Sequence, residues 1–230
     1  MNYILKQFNK PLVSFSATTD TRDPEIHILW HDPQYEHLLP LDLDLTPESL
    51  NRWLRHRTIP KNRAYVHSLL AKCGLNLNRP MGIIDACKGL SLNDCYWVVP
   101  EGDASTFEQA NLYDNPFSNV LAALAFTGYG KRVRSSTLTS PEFTTNGMLP
   151  KCWRRIRGNV YLYKGGTVGA PNTGFEPYSE YYAAQVAHAM GIHVISYGLS
   201  KWKGILCSTC PLFTDKEYSF IPVGHLVKSG

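Results

Sequence analysis

Hydrophobic and polar residues alternate in short runs through the first 45 residues, a pattern that favours β-strands over helices. Residues 12–16 and 26–30 are predicted strands, and turn-forming residues from 20 to 24 separate them. Residues 38–45 alternate apolar and acidic side chains, which predicts a third strand at an exposed sheet edge. The beginning of the chain is therefore predicted to be rich in β-structure.

The spacing of apolar residues changes from a strand pattern to a helical one at Thr46, where a helix is predicted to begin. Thr46 suits the N-cap, and Pro47 suits the first helical position, where no amide donor is needed. Pro60 interrupts the pattern, and a second helix is predicted to end at Gly74. Inward-facing residues are expected at Leu50, Trp53 and Leu54 in the first helix, and at Tyr65, Val66, Leu69 and Leu70 in the second.

This helical pair, residues 46–73, carries five basic side chains and resembles a helix-turn-helix. They are Arg52, Arg55, Arg57, Lys61 and Arg63. One interpretation is a DNA-binding surface. The other is a helical hairpin with a solvated basic face, and the sequence leaves both open.

The rest of the chain alternates between strand and helix patterns. Residues 95–99 are a predicted strand, and residues 116–126 a helix with Val120, Leu121, Leu124 and Ala125 buried. Residues 131–143 are basic and rich in Ser and Thr, as a linker would be. The second half is predicted to contain strands at 149–156 and 159–164, a Gly-rich loop at 165–174, a helix at 178–190, and strands near 194–199 and 204–209.

Together these patterns predict an α+β fold in two parts. Residues 1–135 would form a mixed N-terminal accessory region, and residues 136–230 an antiparallel sheet with one main helix.

Composition narrows the class of protein only slightly. The chain has 230 residues, 43% of them hydrophobic and 18% charged, which excludes a disordered protein. The net charge of +4 is mild, but basic residues gather near the centre of the chain. Residues 131–157 contain Lys131, Arg132, Arg134, Lys151, Arg154, Arg155 and Arg157 against one acid, Glu142. This excess indicates either a phosphate-binding site or a solvated basic face.

The cysteines and the apolar runs suggest a cytoplasmic protein. Among six cysteines, only Cys207 and Cys210 have the spacing of metal ligands or of a redox pair. No second pair completes a zinc site, so we expect two reduced, mostly buried thiols. We find no signal-peptide pattern and no apolar run long enough to span a bilayer.

The strongest chemical signal lies between residues 144 and 164. A polar turn containing Gly147 precedes a basic strand, and a second strand ends with Lys164. A lysine at the end of an apolar strand face is costly to bury without an anion. Glu180, in the first turn of the predicted helix, could pair with Lys164. Kinases hold nucleotide phosphates with such a strand lysine and helix glutamate.

The segment from about 141 to 215 resembles the N-terminal lobe of the HipA-like serine/threonine kinases. Residues 144–147 with Lys151 are similar to the phosphate-binding Gly-rich segment of that family. Residues 162–164 are similar to its ATP-contacting strand, and residues 179–192 to its Asn-Glu-Tyr-Tyr helix. Residues 206–215 are similar to the strand and hinge that follow. The four pieces occur in order and cover about a third of the chain.

The resemblance implies a nucleotide site for ATP and Mg²⁺. Backbone amides of Thr144, Thr145, Asn146 and Gly147 would hold phosphates, Lys151 would lie beside them, Lys164 would contact the α- and β-phosphates, and Glu180 would orient Lys164. The backbone of Pro211, Leu212 and Phe213 would meet the adenine. The implied role is toxin-like or regulatory, as in toxin–antitoxin systems.

The sequence departs from this family after the hinge. The family's catalytic aspartate, asparagine and metal-binding aspartate lie in a C-terminal lobe, and after Asp215 the chain has no Asp or Asn. The chain is therefore expected to be the nucleotide-binding part of a kinase, inactive without a C-terminal lobe. The alternative is a non-catalytic module or transcriptional regulator that contacts DNA or a protein partner. Hydrolase motifs are absent from the sequence.

Overall fold

Two antiparallel four-stranded sheets organise the protein, seen here in a computed structural model that describes residues 1–133, 138–167 and 174–227. The first sheet has the strand order β3-β2-β1-β4. Its strands are β1 (Asn2–Gln7), β2 (Lys10–Ala17), β3 (Ile26–His31) and β4 (Tyr96–Pro100). The strands predicted at 12–16, 26–30 and 95–99 are thereby confirmed.

Residues 38–45 do not form the predicted edge strand. Residues Pro33–Leu38 form a 3₁₀ helix, which Asp32 caps by accepting a hydrogen bond of 3.0 Å from the amide of Gln34. The residues that follow form an irregular loop with Leu43 buried. Pro40 has no amide to donate to a sheet ladder, so the alternating pattern here does not produce a strand.

Three α-helices lie between β3 and β4 of the first sheet, and two more lie between β4 and the second sheet. They are α1 (Pro47–His56), α2 (Val66–Cys73), α3 (Pro80–Cys87), the short α4 (Phe107–Ala110) and α5 (Asn119–Thr127). The predicted cap is present, since the Thr46 hydroxyl accepts a 3.2 Å hydrogen bond from the amide of Ser49. Gly74 ends α2 in the left-handed conformation, as predicted.

Helix α5 begins later than its pattern suggests. Ser118 caps it through the amide of Leu121, which places Val120 in the first turn. Val120 is exposed, against the prediction, whereas Leu121, Leu124 and Ala125 are buried as expected. These three buried residues of α5 join Leu138 and Phe143 in one core cluster. The segment predicted as a linker therefore packs into the core on both sides of residues 134–137, which lie outside the described residues.

The second sheet has the strand order β5-β6-β8-β7. Its elements are β5 (Lys151–Ile156), β6 (Asn159–Gly165), α6 (Glu176–Ala189), β7 (Gly198–Trp202), β8 (Ile205–Pro211) and α7 (Val223–Leu226). Strand β7 lies later than the predicted 194–199, because a tight turn at Lys203 and Gly204 pairs Trp202 with Ile205. The predicted Gly-rich loop at 165–174 falls mostly outside the described residues.

These two sheets and their helices confirm the α+β class. Hydrophobic contacts join the halves of the chain: Trp153 and Val160 of the second sheet share a core cluster with Trp97 and Phe107 of the first half. On the opposite face of the second sheet, Ala122 and Phe126 of α5 pack against Cys152, Tyr163 and Cys207. The division at residue 135 stays a prediction.

The described helices include none that combines the length and apolar character needed to cross a bilayer. Cys207 and Cys210 are buried free thiols on β8, as predicted.

Candidate anion-binding site

Two lysines lie directly opposite each other in the β5–β6 hairpin. The register pairs Lys151 with Lys164, and Lys164 with Ser208 on the other side. Like charges placed opposite on neighbouring strands destabilise a sheet. The hairpin therefore concentrates positive charge at one end of the sheet, where the chain passes from the polar turn into β5.

Lys164 has two direct hydrogen-bond partners among the described residues, and a third residue holds one of them. Its Nζ donates to Glu180 of α6 and to the hydroxyl of Tyr197 at 3.0 Å. Glu180 in turn accepts a hydrogen bond from Ser208 of β8. The side chain of Lys164 is only 14% exposed. Burial alone would lower the pKa of Lys164, but Glu180 and Tyr197 outweigh it and raise that pKa, so the side chain stays charged.

Helix α6 reaches this position because its inward face is small. Its buried residues are Pro177, in the first turn, and Ala184. A small buried face allows the helix to lie close to the sheet, so the carboxylate of Glu180 reaches both Lys164 and Ser208. The predicted pairing of Lys164 with Glu180 is present in the structure.

Lys151 is in a different environment from Lys164. Its Nζ donates to the carbonyl of Asn146 at 2.7 Å, and the side chain has no carboxylate partner among the described residues. Burial, reinforced by Arg63 and Lys164, lowers the pKa of Lys151 to about 8. The ammonium is thus only moderately stable in the folded protein, and a nearby anion would stabilise it.

The turn before β5 exposes backbone donors next to Lys151. Asn146 and Gly147 are exposed, and the amides of Thr145, Asn146 and Gly147 have no acceptor among the described residues. Gly147 has a φ of +96°, and a Cβ at this position would collide with the Nζ of Lys151. Successive unpaired amides beside a lysine are a common arrangement for holding anions.

Arg63 fixes this turn from the first half of the chain. Its guanidinium donates to the carbonyl of Thr145 at 3.0 Å and to that of Lys151 at 2.6 Å. The adjacent Ala64 amide donates to the carbonyl of Met148 at 2.8 Å. Burial lowers the pKa of Arg63 to about 10, so the guanidinium is still charged at neutral pH. The turn is thus clamped at both ends by one buried side chain.

Glu142 lies 3.9 Å from Arg63 and is fully buried. One carboxylate oxygen accepts from the amide of Trp153 at 2.9 Å, whereas the other has no hydrogen-bond partner among the described residues. Burial raises the pKa of Glu142 to about 7 although Arg63 opposes the shift. Its charge therefore changes near neutral pH, beneath the turn.

The predicted hinge leaves the sheet at the end of β8. The amide of Leu212 donates to the carbonyl of Val160 at 2.9 Å and so serves the fold. Pro211 is the last residue of β8, and Phe213 is half-exposed and contacts Phe220 edge to face. Among the three residues whose backbone the family resemblance assigns to adenine, Leu212 thus has its amide already engaged within the fold.

The five basic residues of the helical pair do not share one exposed face. Arg57 is buried and forms a two-point ion pair with Asp94, at 2.9 and 2.6 Å. The Arg63 side chain is fully buried. Arg52, Arg55 and Lys61 remain at least partly exposed, and Arg55 already contacts Asp23. The buried guanidinium groups are not accessible to a DNA backbone in this structure.

Four residues of the site were not found by sequence reasoning: Arg63 as a clamp, Glu142, Tyr197 and Ser208. The position of Ser208 follows from strand register, which a single sequence does not establish. Arg63 and Glu142 carry no local pattern that separates them from surface charges.

No protein-family model matches the chain, and no curated protein matches its sequence. The resemblance to HipA-like kinases therefore stays a prediction that rests on the residues quoted for it.

Proposed function

We propose that this chain binds a nucleoside triphosphate, with the phosphates held between the Thr145–Gly147 turn and the lysines at positions 151 and 164. It would serve as the nucleotide-binding part of a HipA-like serine/threonine kinase. The observation that carries the proposal is the lysine pair in register at one end of the sheet, for which Glu180 is the one carboxylate partner among the described residues.

The charge balance favours a polyanion. Two ammonium groups face one carboxylate, and Arg63 adds a third buried positive charge behind the turn. Glu142 offsets Arg63 only in part, because its pKa lies near neutrality. Phosphate oxygens accept hydrogen bonds from ammonium groups and from backbone amides alike, and these hydrogen bonds are strengthened by charge.

The roles within the site differ. Glu180 and Tyr197 orient Lys164 towards the phosphates, as the helix glutamate does in kinases. Lys151 and the unpaired amides of the turn would contact the terminal phosphates. Adenine would lie against the backbone near Pro211 and Phe213.

Mg²⁺ would accompany ATP with the phosphate oxygens as its ligands, and we assign it no protein ligand in this chain. Asp215 accepts hydrogen bonds from the amides of Glu217 and Tyr218, so it stabilises its own turn. Phosphoryl transfer would need carboxylates that a C-terminal lobe supplies. We therefore propose nucleotide binding without transfer for these residues alone.

The experiment is a thermal unfolding assay with and without ATP–Mg²⁺. ATP should raise the Tm of the wild type by several degrees at saturating concentration. Lys164→Ala should lose most of that shift, whereas the exposed Lys201→Ala on β7 of the same sheet should keep it. Equal shifts in the two variants, or none in the wild type, would remove the proposal.

The alternative of DNA binding has less support. It would rely on Arg52, Arg55 and Lys61 alone, because Arg57 and Arg63 are engaged in the core. Replacing the three exposed residues together should leave the salt dependence of duplex binding unchanged if this alternative is wrong.

A further inference from the structure

A second polar cluster lies away from the lysine pair, where the end of the described chain meets helix α1. It contains Asp42 from the loop before α1, His56 from the last turn of α1, and His225 from α7. One ligand atom from each of these residues lies within 4.8 Å of the other two. No other group of three such ligands occurs among the residues the structure describes.

The three side chains lie close to one another around one carboxylate oxygen. The Nδ1 of His225 lies 3.4 Å from Oδ2 of Asp42, and the Nδ1 of His56 lies 4.0 Å from the same oxygen. Ligand atoms about 2 Å from a tetrahedral metal ion are separated by roughly 3.4 Å, so both distances to Asp42 are close to ligand spacing.

The Nδ1 atom of His56 supplies an independent observation. It is buried and has no hydrogen-bond partner among the described residues. A distance of 4.0 Å to Asp42 is too long for a hydrogen bond. Buried polar atoms without a partner are uncommon and call for an explanation such as a missing ion. The neutral imidazole nitrogen is a preferred ligand of zinc and related metals.

The surroundings tolerate a cation. Arg57 directly follows His56 and carries a positive charge, but both oxygens of Asp94 pair with its guanidinium. A cavity of about 260 Å³, lined by all three residues of the cluster, adjoins the site. Three protein ligands would leave one coordination position open towards this cavity, as three-ligand zinc sites do.

We propose that Asp42, His56 and His225 bind a divalent transition-metal ion of the zinc class. The ion would join α7 to α1, because two ligands come from the first 56 residues and the third from the end of the described chain. The rings of His56 and His225 are stacked, with centroids 4.0 Å apart, so one ring must turn out of the stack before both nitrogens can face one ion. This proposal does not depend on the proposed nucleotide site, although the cavity beside the cluster is also lined by Asn146 of the Thr145–Gly147 turn.

Zinc binding should be measured by competition with a chromogenic chelator on the full chain. We expect one high-affinity site in the wild type. His225→Gln should weaken binding at least ~100-fold, because loss of even an indirect metal partner costs about 10- to 100-fold. The control is His193→Gln, which changes a histidine outside the cluster and should bind as the wild type does.

Absorption spectra of the Co²⁺-loaded protein identify the ligands, since six free cysteines offer an alternative. Nitrogen and oxygen ligation without a thiolate charge-transfer band supports the proposal. The His225 side chain is partly exposed, so its replacement should leave the hydrophobic core intact, and His56→Gln gives a second variant. Thiolate bands, or equal zinc affinity in His225→Gln and His193→Gln, would overturn it.

Discussion

At the scale of single residues, the proposed site depends on two buried lysines whose neighbours shift their pKa values in opposite directions. Lys164 gains Glu180 and Tyr197, which keep its pKa raised. Among the described residues, Lys151 has only a backbone carbonyl as its acceptor, and burial together with two neighbouring cations lowers its pKa to about 8. A bound polyphosphate would therefore change the protonation of Lys151 more than that of Lys164.

ATP affinity should consequently fall as the pH rises through about 8. The free protein loses the Lys151 proton above this value, and binding must then restore it at a cost of at most about tenfold per pH unit. Lys151→Arg keeps its charge at higher pH, so its affinity should change much less between about pH 7 and about pH 9.5. Calorimetric titration measures both proteins. Identical pH dependence in the two would show that Lys151 does not contact the phosphates.

Glu142 predicts a separate pH effect on folding stability. Its folded pKa of about 7 lies above the ordinary value of 4.5, so the folded state binds more protons between these values. Stability from this group is therefore lost as the pH rises from about 4.5 to about 7. Glu142→Gln keeps an acceptor for the amide of Trp153 and should remove about 1 kcal/mol or more of that loss.

Urea unfolding at about pH 5 and about pH 8 measures the difference. Glu217→Gln changes an exposed carboxylate and should retain the pH dependence of the wild type. If the Glu142→Gln protein kept the pH dependence of the wild type, Glu142 would not be the group that causes the loss of stability.

At the scale of elements, the turn before β5 needs a glycine for two reasons. Gly147 has a φ of +96°, and a Cβ there would collide with the Nζ of Lys151. Gly158, at the tip of the β5–β6 hairpin, also has a positive φ of +87°, but a Cβ there meets nothing. The two glycines thus share the backbone requirement and differ in their surroundings.

Gly147→Ala and Gly158→Ala should each destabilise the protein by about 1 kcal/mol or more, because alanine is strained at these φ values. Only Gly147→Ala should also weaken ATP binding, since it displaces Lys151. Thermal unfolding with and without ATP separates the two effects. If Gly158→Ala weakened binding equally, the turn would have no special role.

The elements also show how far sequence patterns reach. The helix start at Thr46, the end of α2 at Gly74 and the pairing of Lys164 with Glu180 follow from local signals that the structure confirms. The strand expected at 38–45 does not form, because alternation is outweighed there by Pro40 and the 3₁₀ helix before it. The prediction that Val120 faces inward was wrong, because the cap at Ser118 sets where the helix begins and places Val120 in its first turn, where it is exposed.

At the scale of the whole molecule, the first half of the chain supports the site in the second. Arg63 binds both ends of the turn, and Trp97 and Phe107 share a core with Trp153 and Val160. Such contacts between distant segments have no local signature, so the supporting role of Arg63 could not be predicted from one sequence.

Arg63→Met should therefore weaken ATP binding although Arg63 would not touch the nucleotide. It leaves the carbonyls of Thr145 and Lys151 without their donor and Glu142 without its nearest cation, a loss of roughly 2 kcal/mol or more in stability. Lys61→Met, a change at an exposed neighbouring position, should alter neither property. Unfolding and titration data on both variants check this. Normal binding by a destabilised Arg63→Met protein would show that the turn holds its shape without the clamp.

The central claim, that the turn and the lysine pair hold a nucleoside triphosphate, is tested most directly by NMR titration of isotope-labelled protein with ATP–Mg²⁺. The account predicts that the backbone amide signals of Thr145, Asn146, Gly147 and Phe213 shift with one common affinity. Lys164→Ala should abolish these shifts at the same ATP concentration. Shifts confined to other parts of the chain, or none at saturating ATP, would contradict it.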